Sequence, residues 1–598
     1  MSWDNVDRLI SEQKFEAASE AVAEILEQAR AEGNAPEWTR ALVEETRLRM
    51  ALHGYETAVR YLRTEGWPED AVSKAVLELY YANSLATYAR AYSWEIRQRE
   101  RVETSGELDL KKWDLEQIVE EADRAFLSVW SGREEWGSES IGEFSRYIHQ
   151  NSYPPRIRGT LRDAVTYLWV ELLADTSLWS PVESNSVFQL DTTALIEGDP
   201  ETSAELDLAD PSIHPLLKIG ALLDDLEAWH SAHGRVEAAL EARLERTRRL
   251  HAGFETEQDK FAVRQHLEGI QGDFDRSLPW WSMGQATLAN FIRSESTPDA
   301  LVRAREVALA GRDRHPRSVG GQRCNHIVAS IESPSFGLEA MAVDGTDRRS
   351  LRINHRNVAS LHFRAWRYDL REMVEGSDDY SLLPTYREAE RIMGSEHDAE
   401  WSIELPPTPD YRSHITYDVP QLDEPGAYLL VASMRSDFAD HANQMQAANF
   451  IVSDLVLIRR HVGEAYEITA RSGRTGRALE DVEVSLYRYD YRRGHREIER
   501  RHTGDDGRVA FNHRLWEREQ YFLVAEKDGQ IALDRDRIYQ FEESQRETTS
   551  SALVFTDRSV YRPRQTIFWK VVAYSGGGED LHYETRPGAS IEVSLVDA

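Results

Sequence analysis

The sequence predicts a multidomain chain that is α first and β second. An N-terminal irregular α-solenoid or helical array is followed by immunoglobulin-like β-sandwiches, the last of which is expected to be truncated. Three observations carry this. Apolar residues recur at helical spacing from the start to about residue 332. After Pro334 the period changes to two. From there strands recur every ~8–12 residues, punctuated by Asp-Gly turns.

The helical elements come first. Trp3, Val6, Leu9 and Ile10 share one face, and Ala18, Val22, Ile25 and Leu26 share another. Gly33-Asn34 and Gly54 punctuate the helices, while Pro36 and Pro68 sit near helix starts. Helices pair, as in Phe15–Ala31 with Glu37–His53 followed by Tyr55–Leu62. The pairing suggests a repeat array, but no strict period survives, so an irregular solenoid and an ordinary helical bundle both stay open. Residues 1–179 form a first helical array. Residues 180–211 are rich in Ser, Pro and acids, and predict an exposed linker. Residues 212–332 are a second helical subdomain, with helices at Leu216–His233, Arg235–Gly253, Trp280–Ile292 and Asp299–Ala310.

Residues 333–453 read as a β-rich unit with an insertion. Leu351, Ile353, Val358, Leu361 and Phe363 are strand-like, as are Ala427–Ala432 and Asn449–Val452. Met373–Arg412 between them is more polar, partly helical around Thr385–Ile392, and broken by Pro406, Pro407 and Pro409. Residues 454–551 predict a seven-strand sandwich. Val482, Val484 and Leu486 alternate, and hairpin turns fall at Asp505-Asp506-Gly507 and Lys527-Asp528-Gly529. Residues 552–598 start another sandwich. They are too few for its ~100 residues, and Ile591–Val596 reads as their last strand. The expectation is an N-terminal fragment of a longer protein.

Bulk numbers exclude several functions. Net charge is −33, from 71 basic and 104 acidic residues. That opposes nucleic-acid binding, which needs a basic footprint. No apolar run is long enough to span a membrane. The start, MSWDNVDRLISEQKF, is a polar amphipathic helix without the basic and apolar regions of a signal peptide. A single cysteine, Cys324, allows no internal disulfide.

No catalytic constellation is visible. H-E-x-x-H, G-x-S-x-G and a phosphate-binding loop are all missing from the sequence. Cys324 has His326 two residues on, which a helix points to a different face, so Cys324 reads as a small packed residue. His251, His266, His355 and His362 read as core or solvated histidines, and Tyr491–His502 as a basic, salt-bridged hairpin with Glu497 and Glu499. Trp280, Trp281, Trp366 and Trp401 read as core or interface fillers, and Gly576–Gly578 as a hairpin loop. The chain is expected not to be an enzyme and to need neither cofactor nor metal.

One stretch carries a resemblance. Phe555-Thr556-Asp557-Arg558, then Tyr561-Arg562-Pro563, then the alternating strand Ile567–Val572, resembles the opening of the second macroglobulin domain of the bacterial alpha-2-macroglobulin family. Arg564 stands where the family usually has Gly, at a turn position that favours φ > 0. These seven residues are a structural motif. The resemblance implies the N-terminal, scaffolding part of a broad-spectrum endopeptidase inhibitor, or protease trap. Its partners would be proteases, met through a bait segment beyond Ala598, and its place the periplasm or cell envelope. The family's reactive C-x-E-Q run is not matched at Cys324-Asn325-His326-Ile327. The alternative is an envelope scaffold or adhesin-like interaction protein built of helical repeats and sandwiches.

Overall fold

The computed structural model describes all residues except 1, 100–109, 146, 148–150, 199–202, 204, 341–349, 377–380, 385, 463–464, 491–492, 512–519, 539–547, 559–565, 578–581 and 595–598. The chain divides into two compact units, Met1–Ile331 and Glu332–Ala598. The first is helical and the second consists of small antiparallel sheets, so the α-then-β architecture is the one observed.

The helical unit is built of antiparallel hairpins whose turns follow local chemistry. Phe15–Glu32 ends at Gly33, which takes a left-handed φ of 65° as its C-cap. Asn34 then caps Ala35–His53 by accepting from the Glu37 amide, with Pro36 in the first turn. Ala71–Ala91 packs on Leu115–Ser131, Pro215–Ala232 on Val236–Gly253, and Trp281–Arg293 on Ala300–Arg314. Close approach sets the last of these. A Cβ on Gly311 would fall 2.8 Å from the Gln285 Cβ, and on the next helix, Val319–Glu332, one on Gly320 would fall 2.2 Å from the Met283 amide nitrogen. Only glycine lets these backbones meet.

The stretch expected as an exposed linker is folded in part. Ser180 and Glu183 form a capping box with Pro181 at the first helical position, starting a helix at Pro181–Ser186. Asp191 caps a second short helix, Thr192–Glu197, which buries Leu195 and Ile196. Six-residue helices are too short to show a period, which is why periodicity misses them.

The second unit contains two seven-strand sandwiches. In the first, β1 (Ser335–Ala340), β2 (Leu351–Arg356) and β5 (His414–Asp418) form one sheet in the order β1-β2-β5. The other sheet holds β3 (Ser360–Tyr368), β4 (Ala399–Glu404), β6 (Gly426–Ser433) and β7 (Met445–Val452), in the order β4-β3-β6-β7. Phe336, Leu351, Ile353, Phe363, Tyr428 and Phe450 fill the space between. The polar insertion does hold helices, at Leu370–Gly376 and Tyr386–Met393. Its last part, however, is strand β4 rather than helix or loop. Trp401 and Ile403 alternate with Glu400, Ser402 and Glu404, and Trp401 stacks on Phe363 at 5.0 Å. The acidic alternate positions masked a half-buried strand.

The second sandwich has β8 (Leu455–Val462), β9 (Ala465–Ser472), β10 (Glu483–Arg488), β11 (Arg496–His502), β12 (Arg508–Phe511), β13 (Tyr521–Lys527) and β14 (Gln530–Ile538). Its sheets run β12-β9-β8 and β11-β10-β13-β14 around Ile468, Val484, Leu486, Phe511 and Leu523. The β13–β14 turn uses Asp528 and Gly529, both at positive φ, as a two-residue hairpin requires.

The two sandwiches are joined by the insertion helix Leu370–Gly376. Leu370 and Val374 pack with Tyr487, Phe522 and Val524 on the outer face of the β11-β10-β13-β14 sheet. Arg371 lies across that face. It donates to Glu483 (2.8 Å), to Glu497 and the Tyr487 hydroxyl (both 3.1 Å), and to Glu526 and Ser485 (both 3.3 Å). Replacing Arg371 by Ala removes the one cation that touches Glu483, Glu497 and Glu526 together, leaving Arg500 on Glu483 (3.2 Å) and Glu497 (2.6 Å). The loss should be about 2 kcal/mol in urea unfolding of the second unit. Arg371→Lys should recover only part of it, because an ammonium cannot bridge three carboxylates as a planar fork does. A change under ~0.5 kcal/mol would mean that the joint rests on the apolar contacts alone.

Candidate interaction surface

The last three strands form a sheet of a different kind. β15 (Thr548–Thr556) pairs with β16 (Trp569–Gly577), and β16 pairs with β17 (His582–Thr585). Successive residues of a strand point to opposite faces, so the register sorts them. One face carries Leu553, Phe555, Val572 and Tyr574, the other Val554, Val571 and Trp569. Leu553, Val554 and Phe555 are consecutive and all exposed, Phe555 at 51%. Phe568 and Trp569, at the start of β16, are 67% and 57% exposed. Both faces are therefore apolar and open among the described residues. Single exposed apolar side chains are ordinary, but a contiguous set marks a surface that binds by burial.

The motif residues lie at the rim of this sheet. Phe555 closes the β15 pairing opposite Lys570. The Thr556 hydroxyl donates to the Arg558 carbonyl at 2.6 Å. Asp557 is a clasp, because its amide donates to the Phe568 carbonyl (2.9 Å) and its carboxylate accepts from the Phe568 amide (3.0 Å). Arg558 lies 3.5 Å from that carboxylate. Tyr561, Arg562, Pro563 and Arg564 lie outside the described residues. Two strand expectations need correction. The alternating segment enters the sheet at Trp569 rather than Ile567, and residues 591–594 are not in a strand. Gly576 and Gly577 end β16 rather than forming the loop.

The other sequence candidates scatter. Cys324 lies fully buried in the helix Val319–Glu332, while His326 is exposed. Burial pushes the Cys324 thiol up to about 12, against the thiolate a nucleophile needs. His251 stacks on Phe291 at 3.9 Å. His355 is buried, with Nε2 2.9 Å from the Thr416 hydroxyl. Tyr491 and Arg492 lie outside the described residues. The rest of that basic run forms β11, where Arg500 pairs with Glu497 and Arg501 with Glu499. No group of three His, Cys, Asp or Glu among the described residues is placed to hold a metal. No helix among them is long and apolar enough to cross a membrane.

Comparison with known proteins adds little. No family model matches the chain, and no curated protein does. Among solved structures, it resembles a fragment of native alpha-2-macroglobulin from Escherichia coli spanning domains MG0-NIE-MG1. The two are 20% identical over 34% of this chain and 64% of that fragment, with a TM-score of 0.27. An NIE-MG1 fragment of the same protein gives 19% identity over 34% of this chain and 98% of the fragment, again at 0.27. A reconstruction of native E. coli alpha-2-macroglobulin gives 19% identity over 41% of this chain and 15% of that one, at 0.23. The chain thus spans less than two thirds of the first fragment. These neighbours are recorded at low identity and partial coverage, and nothing about this chain is drawn from scores of that size.

Two measurements check the surface and the thiol. Phe555→Ser and Trp569→Ser should each leave stability within about 0.5 kcal/mol, as exposed substitutions do, while lowering the fluorescence of a bound hydrophobic dye. A loss above ~2 kcal/mol would show that the faces are already covered. Native Cys324 should react with a thiol reagent at pH 8 far more slowly than the urea-unfolded chain. Equal rates would contradict its burial.

Proposed function

We propose that this chain is a scaffold segment of a macroglobulin-type protease trap, acting by binding and enclosure rather than by catalysis. The observation that carries the reading is the third sheet. It follows two closed sandwiches, bears the Phe555–Arg558 motif at its rim, and leaves both apolar faces open. In such a trap a protease cuts an exposed bait segment, and the array of sandwiches closes around it, so that large substrates are excluded. The role assigned to this chain is the wall. Its sandwiches are held in series by the Arg371 joint, and its third sheet is a docking face for further β-structure. The sequence contains no C-x-E-Q run, so no thioester is assigned to these residues. The envelope is the proposed location, on the strength of the motif's resemblance alone.

The test is to sequence the source DNA beyond the codon for Ala598. The expected result is an open frame continuing through further sandwiches to a protease-sensitive segment. A stop codon there would remove the trap reading and leave a scaffold. A second arm uses the 598-residue protein itself. Mixed with trypsin, elastase or thermolysin it should protect neither casein nor a small peptide substrate. Selective protection of casein would show that the trapping parts lie within these residues.

A further inference from the structure

The first sandwich has an edge that its own fold leaves open. β5 is a five-residue strand, His414–Asp418. It pairs with β2 on one side and with no strand on the other among the described residues. We propose that β5 pairs antiparallel with β5 of a second copy of this chain, across a two-fold axis through Thr416.

The argument begins with what the edge presents. An edge strand offers alternate backbone N–H and C=O groups to any added strand, and proteins commonly blunt it with outward charge, proline or a bulge. The solvent face of β5 carries no charge and no proline. It consists of Ile415 and Tyr417, continued by Val419, which are 51%, 56% and 55% exposed. Pro420 then ends the segment that can pair. The other face of the strand is anchored. Thr416 lies with its hydroxyl 2.9 Å from His355 Nε2, and Asp418 accepts from the Trp401 indole at 3.0 Å. His414 has Nε2 2.9 Å from Asp410. β5 is therefore held in place before any partner arrives, which lowers the entropy lost on pairing.

The order of residues in β5 selects the partner. Antiparallel pairing about Thr416 sets Ile415 opposite Tyr417 of the second copy, Thr416 opposite Thr416, and His414 opposite Asp418. These are a β-branched side chain against an aromatic, two threonines, and a base against an acid. Each is a kind of cross-strand pair that stabilises a sheet. The two-fold axis repeats the outer pairs on both sides, as a self-complementary interface requires. It also joins the Ile415 and Tyr417 side chains of both copies on one face, because successive residues alternate. The rim strand β4 fails the same comparison. Pairing about its Ser402 would set Glu400 against Glu404, acid against acid, on its exposed positions.

The experiment is analytical ultracentrifugation of the full chain from roughly 2 to ~200 µM. The pairing is short, so the dimer should be weak, with a Kd on the order of 100 µM. Ile415→Lys and Tyr417→Lys, both at exposed positions, should each weaken it by about tenfold or more without changing the unfolding temperature. Thr416→Cys should give a disulfide-linked dimer with a mild oxidant, since only the residue on the axis meets its own copy, and the native Cys324 is buried. Phe555→Ser should leave the dimer unchanged, which separates this contact from the third sheet. A chain that stays monomeric over the whole range would overturn the proposal. So would a dimer that survives Tyr417→Lys, one that is lost on Phe555→Ser, or one that Thr416→Cys does not link.

Discussion

A sheet with an apolar face must have that face covered, and the second unit is organised by this requirement. In the first sandwich Phe336, Phe363, Tyr428 and Phe450 meet between two sheets. In the second, Ile468, Leu486, Phe511 and Leu523 do the same. Each body therefore satisfies its own demand, and the outer surface of one is free to take the insertion helix of the other. The third sheet has the same strand chemistry but no opposing layer among the described residues. The burial that closes the first two sandwiches is not completed within the described residues of the third, where Leu553, Phe555 and Trp569 remain exposed.

The helical unit answers a different constraint, that of charge inside a core. Glu241 is fully buried and accepts from Arg158 at 2.6 Å and from the Trp280 indole at 2.7 Å. Glu245 nearby is held at about 2, because Arg248, Arg158 and Arg249 outweigh the burial that would raise it. Buried ion networks add little net stability, since desolvation cancels most of the attraction. They do punish every arrangement that leaves one member alone. Helical hairpins without a strict repeat have no sequence period to set how they stack. Here the Arg158 ion pairs tie the segment before Leu161 to the helix Val236–Gly253, and the indole of Trp280, the residue that caps the helix Trp281–Arg293, joins the same Glu241.

What was legible in the sequence follows the same physics. Helices of four or five turns with a continuous apolar stripe, such as Phe15–Glu32, were readable from period alone. So was the hairpin at Asp528-Gly529, because its turn type demands those residues. The capped six-residue helices after Ser180 and the acidic strand β4 were not, since each is specified by what it packs against rather than by its own pattern. The candidate sites fared similarly. The motif at Phe555–Arg558 was visible as a pattern. Arg371 was not, because its partners lie far away in sequence at Glu483 and Glu497.

The geometry also says what kind of information the motif carries. Asp557 spends its amide and its carboxylate on the backbone of Phe568, and Thr556 spends its hydroxyl on the Arg558 carbonyl. None of these groups is offered to a partner. The Thr-Asp-Arg run is a clasp that fixes where β16 begins relative to the end of β15, and with it the register that sorts Phe555 and Trp569 onto opposite faces. A shift of one residue would exchange those faces. The motif therefore reports how the sheet is built, and the apolar side chains are what the clasp holds in register.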